Sequence, residues 1–365
     1  MPQGQNKVNR NKVGSSFRDR VSLDRGVLIM ALLFGLLLLA PLVLGLVGQS
    51  YLLNLLMKAM LLAIAAISLD LLIGQGGMIS LGHSAFVAIG AYAAAIALES
   101  GIENILVLLL LSLLVAGLFA LITGALALRT SGVYFLMITL AFGQMAYFTL
   151  TSLAPYGGDD GLTLWTLATL FGSDVVQGSG QLYFVVLGTL ALTWWGVHRL
   201  SQSRFGRVLR AARDNPERTE IIGFSVFRYR LIAYVIAGMI AAVSGLLMVQ
   251  HAEFVSPALA TWQRSGDLLV VVVLGGLGTR NGALLGAFFM VLLEEILSSF
   301  IHEWRLIYGP LLVLMALHAR GGLSHLLFPA SPSQSSDRQN DQPGDQSSDQ
   351  PDDRQNDQPR GEQTS

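Results

Sequence analysis

The chain has 365 residues, of which 53% are hydrophobic and 13% charged, with a formal net charge of −1. A soluble globular domain, in which about a quarter of residues carry charge, is excluded by that balance. No cysteine is present, so neither disulfides nor thiolate chemistry carries structure or function.

Residues 1–26 form a basic extension in which Lys7, Arg10, Lys12, Arg18, Arg20 and Arg25 outweigh Asp19 and Asp24. The positive-inside rule therefore places the N-terminus in the cytoplasm. Apolar runs follow near 27–47, 52–73, 84–98, 105–128, 133–153, 182–200, 231–250, 267–278, 283–299 and 306–318. The longer ones reach the roughly 20 residues needed to cross about 30 Å of hydrocarbon. The first is too long for a signal-peptide core of about 7–15 residues and lacks a small-residue cleavage site, so it reads as a mature span. The predicted fold class is an all-α, polytopic membrane helical bundle of about ten transmembrane helices, with the apolar transmembrane domain at 27–328 and both ends inside. Loop 199–230, with Arg199, Arg204, Arg207, Arg210, Arg213, Arg218, Arg228 and Arg230, falls on the inner side. Segment 154–181 holds Asp159, Asp160 and Asp174 without Lys or Arg and falls outside. From 329 to 365 the composition turns to Ser, Gln, Asp, Asn and Pro, with Asp337–Pro343 echoed at Asp353–Pro359, which predicts a solvated, disordered tail.

Leu71-Leu72-Ile73-Gly74-Gln75-Gly76-Gly77-Met78-Ile79-Ser80-Leu81-Gly82-His83-Ser84-Ala85-Phe86 breaks one apolar helix and starts another. Backbone groups released inside hydrocarbon cost several kcal/mol each unless protein or water satisfies them, so such a break lines a pathway or a tight helix crossing. Gln75, Ser80 and His83 are candidate pathway residues, with capping of released helix ends as the competing role. Gln144, in the fifth span, is a further candidate that faces the bundle, either in the pathway or in an interhelical bond. Lys58 reads as snorkelling toward the outer end of its span, and Asp70 as facing the inner vestibule. An echo joins Asp70-Leu71-Leu72 and Gly90-Ala91-Tyr92 to Asp267-Leu268-Leu269 and Gly286-Ala287-Phe288, around a second break at Gly275–Gly282. Either two parallel repeats each carry a broken helix, or small residues simply recur in packed spans.

Enzyme chemistry lacks its residues. The histidines, His83, His198, His251, His302, His318 and His325, form no metal-binding pair, and neither a Gly-x-Ser-x-Gly elbow nor a His-Glu-x-x-His helix occurs. No catalytic or metal site is expected. The lysines, Lys7, Lys12 and Lys58, do not follow glycine, so a Walker A loop is absent and any energy from ATP has to arrive through another polypeptide. Ser203–Phe224 offers a place for that arrival. Asn215 suits an N-cap, Pro216 the first helical position and Gly223 the stop, which predicts a short helix outside the bilayer. Asn215, Glu217, Arg218, Glu220 and Gly223 are the candidate coupling residues, against contact with anionic lipid headgroups as the plainer role.

Leu71–Phe86, then Gly132-Val133-Tyr134-Phe135-Leu136-Met137-Ile138-Thr139-Leu140-Ala141-Phe142-Gly143-Gln144, then Phe205-Gly206-Arg207-Val208-Leu209-Arg210-Ala211, then Val273–Thr279 resemble, in this order, the membrane-spanning permease subunit of branched-chain amino-acid ABC importers. Gly157-Gly158-Asp159-Asp160-Gly161 is similar to the glycine-rich external motif of that hydrophobic amino-acid uptake family, and the resemblance covers roughly 50–323. Asp70 departs from the family's more frequent Asn, and Glu217–Gly223 matches its coupling motif only loosely. The resemblance implies branched-chain amino acids delivered by a periplasmic binding protein, a second permease subunit in a heterodimer, and two cytoplasmic ABC ATPase subunits. ATP would be bound by those partners, with no cofactor here, in a bacterial inner membrane and without a nucleic-acid partner. Urea or short amides are the alternative solutes, and an autonomous secondary transporter is the alternative class.

Overall fold

The computed structural model describes residue 30 and residues 32–44, 50–169, 179–279, 281–300 and 309–310. They belong to one unit, Ser22–Pro329, whereas Met1–Val21 and Ala330–Ser365 form a second unit. The basic extension before residue 30, the tail and most of the expected span 306–318 therefore lie outside the described residues.

Eleven helices occur among the described residues: α1 (Leu32–Leu44), α2 (Ser50–Asp70), α3 (His83–Glu99), α4 (Ile105–Ala127), α5 (Val133–Thr151), α6 (Ser179–Gln202), α7 (Arg204–Asp214), α8 (Pro216–Ile221), α9 (Val226–Ala252), α10 (Trp262–Gly275) and α11 (Gly282–Phe300). Their limits follow local chemistry. Asn104 opens α4 by accepting from Leu106 N at 3.0 Å, and α5 starts after Gly132 at φ +63°. α9 ends at Glu253 in the left-handed region.

The chain forms an all-α membrane bundle, and among the described residues fewer helices reach spanning length than the ten runs would give. Six described segments are long and apolar enough to cross a membrane: Ser50–Gln75, Ile105–Ala127, Val133–Thr151, Gly180–Gln202, Val226–Ala252 and Gly282–Phe300. The runs 84–98 and 267–278, already shorter than a full crossing, become the 17-residue α3 and the 14-residue α10, bordered at Gly82 and Gly276 by the two glycine breaks. Fully buried elements need not span. In the most apolar windows, 83% of residues are buried in Ser50–Gln75 and 61% in Val226–Ala252, against 22–33% in the helices of α4, α5, α6 and α11. Thus α2, α3 and α9 form the interior, and α4, α5, α6 and α11 carry exposed apolar side chains outward, as on α4 at Leu110, Leu114 and Leu118.

Small residues set the central spacing. A Cβ on Gly90 of α3 would strike the backbone of Ala242, and one on Gly245 of α9 the Val87 carbonyl, so these helices meet backbone to backbone. Hydroxyl-to-carbonyl bonds fasten flanking helices to this seam: Ser244 Oγ of α9 donates to Leu61 O of α2 at 2.7 Å, and Ser112 Oγ of α4 to Gly90 O of α3 at 3.0 Å. Phe86, Phe119, Phe135 and Tyr234 pack edge to face beside it.

The described residues also hold a short two-stranded sheet. At the end of α9, β2 (Phe254–Val255) pairs antiparallel with β1 (Leu162–Thr163). Gly157, Gly158 and Gly161 take positive φ just before β1, and Gly161 lies against Val255 where no Cβ fits, so the Gly157–Gly161 motif shapes the turn that brings the strands together. Asp159 and Asp160 remain exposed on it.

Candidate functional site: a charged cavity beside two glycine breaks

The first break is only partly a loss of helix. α2 continues into a π-helical turn, Leu71–Gln75, which ends where Gly77 adopts φ +66°. Ile73 O accepts from Gly77 N and Leu72 O from Met78 N, each at 3.1 Å, so part of the released backbone is satisfied within the turn. The chain then runs non-helically to Gly82, pressed against the Thr139 carbonyl of α5, while Leu81 N donates to Thr139 Oγ1 at 3.3 Å.

The second break lies against the first. Gly74 and Gly278 meet backbone to backbone with no room for a Cβ on Gly74, and Gly278 N donates to Asp70 Oδ1 at 2.8 Å. Asp70 is therefore committed to a backbone amide and does not face a vestibule as a free carboxylate. The two segments of the sequence echo thus contact each other directly.

Above the breaks, α2, α3, α9, α10 and α11 enclose an open cavity of about 590 Å³. Leu61, Met248, Leu268, Val271 and Met290 give it apolar walls; Lys58, Arg264, Asp267 and Glu294 bring charge of both signs. Lys58 Nζ lies 3.2 Å from Glu294 Oε2, and Arg264 Nη1 4.0 Å from Asp267 Oδ2. At 1.5 Å per residue, Lys58, Arg264 and Glu294 each stand about 16–18 Å along their helices from the break end, so three helices present charge at one level. Charge at that depth is costly against lipid and is found paired or facing water. Lys58, expected to snorkel, instead pairs with Glu294. At the wall, Ser84 Oγ lies 2.6 Å from Ser265 Oγ and donates to Thr261 O at 3.0 Å, joining α3 to α10.

The candidates picked from sequence lie elsewhere. None of Gln75, Ser80, His83 and Gln144 lines this cavity. Gln75 Oε1 accepts from Arg210 Nη1 at 2.7 Å. Ser80 and His83 are buried; His83 Nε2 lies 2.7 Å from Ser68 Oγ, and its buried Nδ1 has no partner among the described residues. Gln144 is half-buried on α5, and its Nε2 has no partner among the described residues. Sequence reasoning missed the charged quartet and gave Lys58 a different role. A signal was present: ionisable residues at matching distances from the glycine breaks in three apolar segments.

The coupling candidates do share one place. Asn215 caps α8 by accepting from Arg218 N at 2.9 Å, Pro216 starts it, and Gly223 follows it at φ +100°. Loop 199–230 contains two helices, α7 and α8, where one was expected. Glu217, Arg218 and Glu220 are exposed, as are Ile221 at 86% and Ile222 at 67%. α7 buries Gly206, Leu209 and Ala212 and is tied to α9 by Arg230 Nη2 donating to Ala212 O at 2.9 Å.

Residues 51–316, almost all of this bundle, match the family model described as branched-chain amino acid transport system / permease component. The chain belongs to that family. It is 28% identical over 306 residues to the high-affinity branched-chain amino acid transport system permease protein LivM of Salmonella typhimurium, covering 78% of this chain and 72% of the relative. It is 25% identical over 144 residues to the same organism's LivH, covering 37% and 46%. Similarity extends to the autoinducer 2 import system permease protein LsrC of Enterobacter sp. (strain 638), 32% over 205 residues, covering 52% of this chain and 57% of that one. No solved structure matches. This permease component is a multi-pass membrane protein.

Proposed function

We propose that the chain is one permease subunit of an ATP-driven importer that translocates branched-chain amino acids handed over by a periplasmic binding protein. The cavity is the observation that carries the solute class. An aliphatic amino acid is an apolar side chain on a zwitterion, and the cavity offers apolar walls with a cation and an anion in each of two pairs. In this reading Arg264 or Lys58 takes the carboxylate, and Asp267 or Glu294 the ammonium group. Urea and short amides are neutral and would leave both pairs unused.

The finer features of the assembly follow from this reading. The bundle makes ten crossings in the bacterial inner membrane, with both termini and the α7–α8 loop cytoplasmic and the Gly157–Gly161 turn outside. Relatives named LivM and LivH in one organism support a heterodimer of permease subunits. Two ATPase subunits bind and hydrolyse the ATP and grip α8 through Glu217, Arg218 and Glu220 and the exposed Ile221–Ile222 knob, with Asn215 and Gly223 fixing its ends. Gln75, Ser80, His83 and Gln144 act in and around the break, setting which way the cavity opens as the helices rock.

Proteoliposomes holding the complete importer test this directly. Leucine uptake is expected to require the ATPases and to exceed urea uptake. Asp267→Asn and Arg264→Gln are expected to raise the half-saturating leucine concentration by about tenfold or more, since a hydrogen bond to a charged group contributes about 1.5–3 kcal/mol. Urea uptake that outpaces leucine, or leucine uptake without ATPases, would overturn the reading.

A further inference from the structure

Two arginines of α7 reach back into the bundle. Arg210 Nη1 donates to Gln75 Oε1 at 2.7 Å and to Ser201 O and Oγ at 3.0 Å. Arg213 Nη1 donates to the Gly74 carbonyl, and its stem lies against Gly77 where no Cβ fits. Backbone and side chain of the π-helical turn are thus held by charged donors from outside the span. On the other side of the same turn, Gly74 abuts Gly278, and Asp70 accepts from Gly278 N. Gly278 follows α10, whose Leu268 and Val271 line the cavity. At the outer end of the chain of contacts there is little slack, because Asn215 is at once the C-cap of α7 and the N-cap of α8. By contrast Arg207, on the same helix, donates to Gln202 O at 3.3 Å and not to the break, while the Arg213 Nε that is left over donates to Asp214 Oδ1 at 3.0 Å.

We propose that Arg210 and Arg213 form a strut that carries displacement of α8 through the paired glycine breaks to the α10 wall of the cavity. They are positioning residues for solute transfer, acting through Gln75 and Gly74. The strut rests on the reading of α8 as the ATPase contact. Lipid-anchoring arginines would direct their guanidinium groups at headgroups; these two direct them at the break. Gly74 and Gly278 allow the two turns to touch, so a shift in one cannot be absorbed by intervening side chains.

This chain has no native cysteine, so spin labels can be directed to chosen sites in it, within the complete importer assembled in lipid nanodiscs from cysteine-free partner subunits. Distances would be read from a label on lipid-facing Leu118 to one on Arg207 of α7, and to one on Leu277 of the second break, without nucleotide and with ATP trapped. In otherwise unaltered protein both distances are expected to change with ATP. In R210A/R213A the α7 distance should still change and the Leu277 distance should not, while solute-stimulated ATPase activity and leucine uptake fall at least tenfold with subunit stoichiometry retained. R213K keeps a cationic donor and is expected to recover part of both. Normal Leu277 movement in the double variant would overturn the strut. An α7 that does not respond to ATP in the unaltered protein would overturn the coupling-loop reading beneath it, a distinguishable failure. If the double variant does not assemble, Q75A, which removes the Arg210 acceptor and leaves both arginines, reads the same distances; normal Leu277 movement and normal stimulation there would overturn the strut as well.

Discussion

Gly245 and Gly188 are both glycines inside spanning helices, yet the structure gives them opposite weights. A Cβ on Gly245 would strike the Val87 carbonyl, a backbone atom that cannot swing aside, whereas one on Gly188 meets nothing within 4 Å. Gly245→Val should therefore lower stability by about 1–3 kcal/mol through overpacking. Gly188→Ala should be neutral or slightly stabilising, since alanine exceeds glycine in helix propensity by about 1 kcal/mol. Thermal unfolding of the purified protein in detergent checks both, and equal effects would contradict the α3–α9 seam. The same contrast governs the charged residues. Lys58 was legible as a cation in a span but not as Glu294's partner, because the two stand on α2 and α11 and meet only after folding.

At the scale of elements, α8 was the most legible piece outside the bilayer. Its cap, its proline and its terminal glycine are local signals, and they fix a local structure. What α8 contacts is a separate matter that two substitutions address. Gly223→Pro replaces a φ of +100° with a ring that holds φ near −65°, so the exit from α8 must rearrange. Glu217→Arg reverses an exposed charge. Neither touches a membrane span, and both are expected to leave insertion and abundance near normal while lowering ATP hydrolysis stimulated by solute-loaded binding protein. Full stimulation in both variants would remove α8 as the coupling helix; a lipid-contact role predicts that Glu217→Arg is neutral or mildly favourable at an anionic surface. The breaks were also visible as elements, through their glycines, and so was α3, but the start of α10 was not, because its first turn carries Gln263 and Arg264 and lies ahead of the apolar run.

For the whole molecule, orientation is the property most directly fixed by charge. Arginines crowd into 199–230, and the turn at Asp159 and Asp160 has none. A reporter active only in the cytoplasm should be active when fused after Arg213 and silent when fused after Asp160. The reverse pattern would invert the topology and with it the side from which the cavity is filled.

The sequence by itself determined the membrane class, the family, the positions of both glycine breaks and the capped helix α8. Each of these is written in contiguous residues: apolar runs of spanning length, glycine clusters, and an Asn-Pro start with a glycine stop. The tertiary structure alone decided that the two breaks touch at Gly74 and Gly278, that α7 fastens onto the first of them, and that Lys58, Arg264, Asp267 and Glu294 share one cavity in place of Gln75, Ser80, His83 and Gln144. Those facts depend on which helix faces collapse together. In a bundle so uniformly apolar, α3, α4, α5 and α9 show almost no amphipathic asymmetry, so residue periodicity cannot say which face turns inward; the close approach of small residues can, and it exists only once the helices have packed.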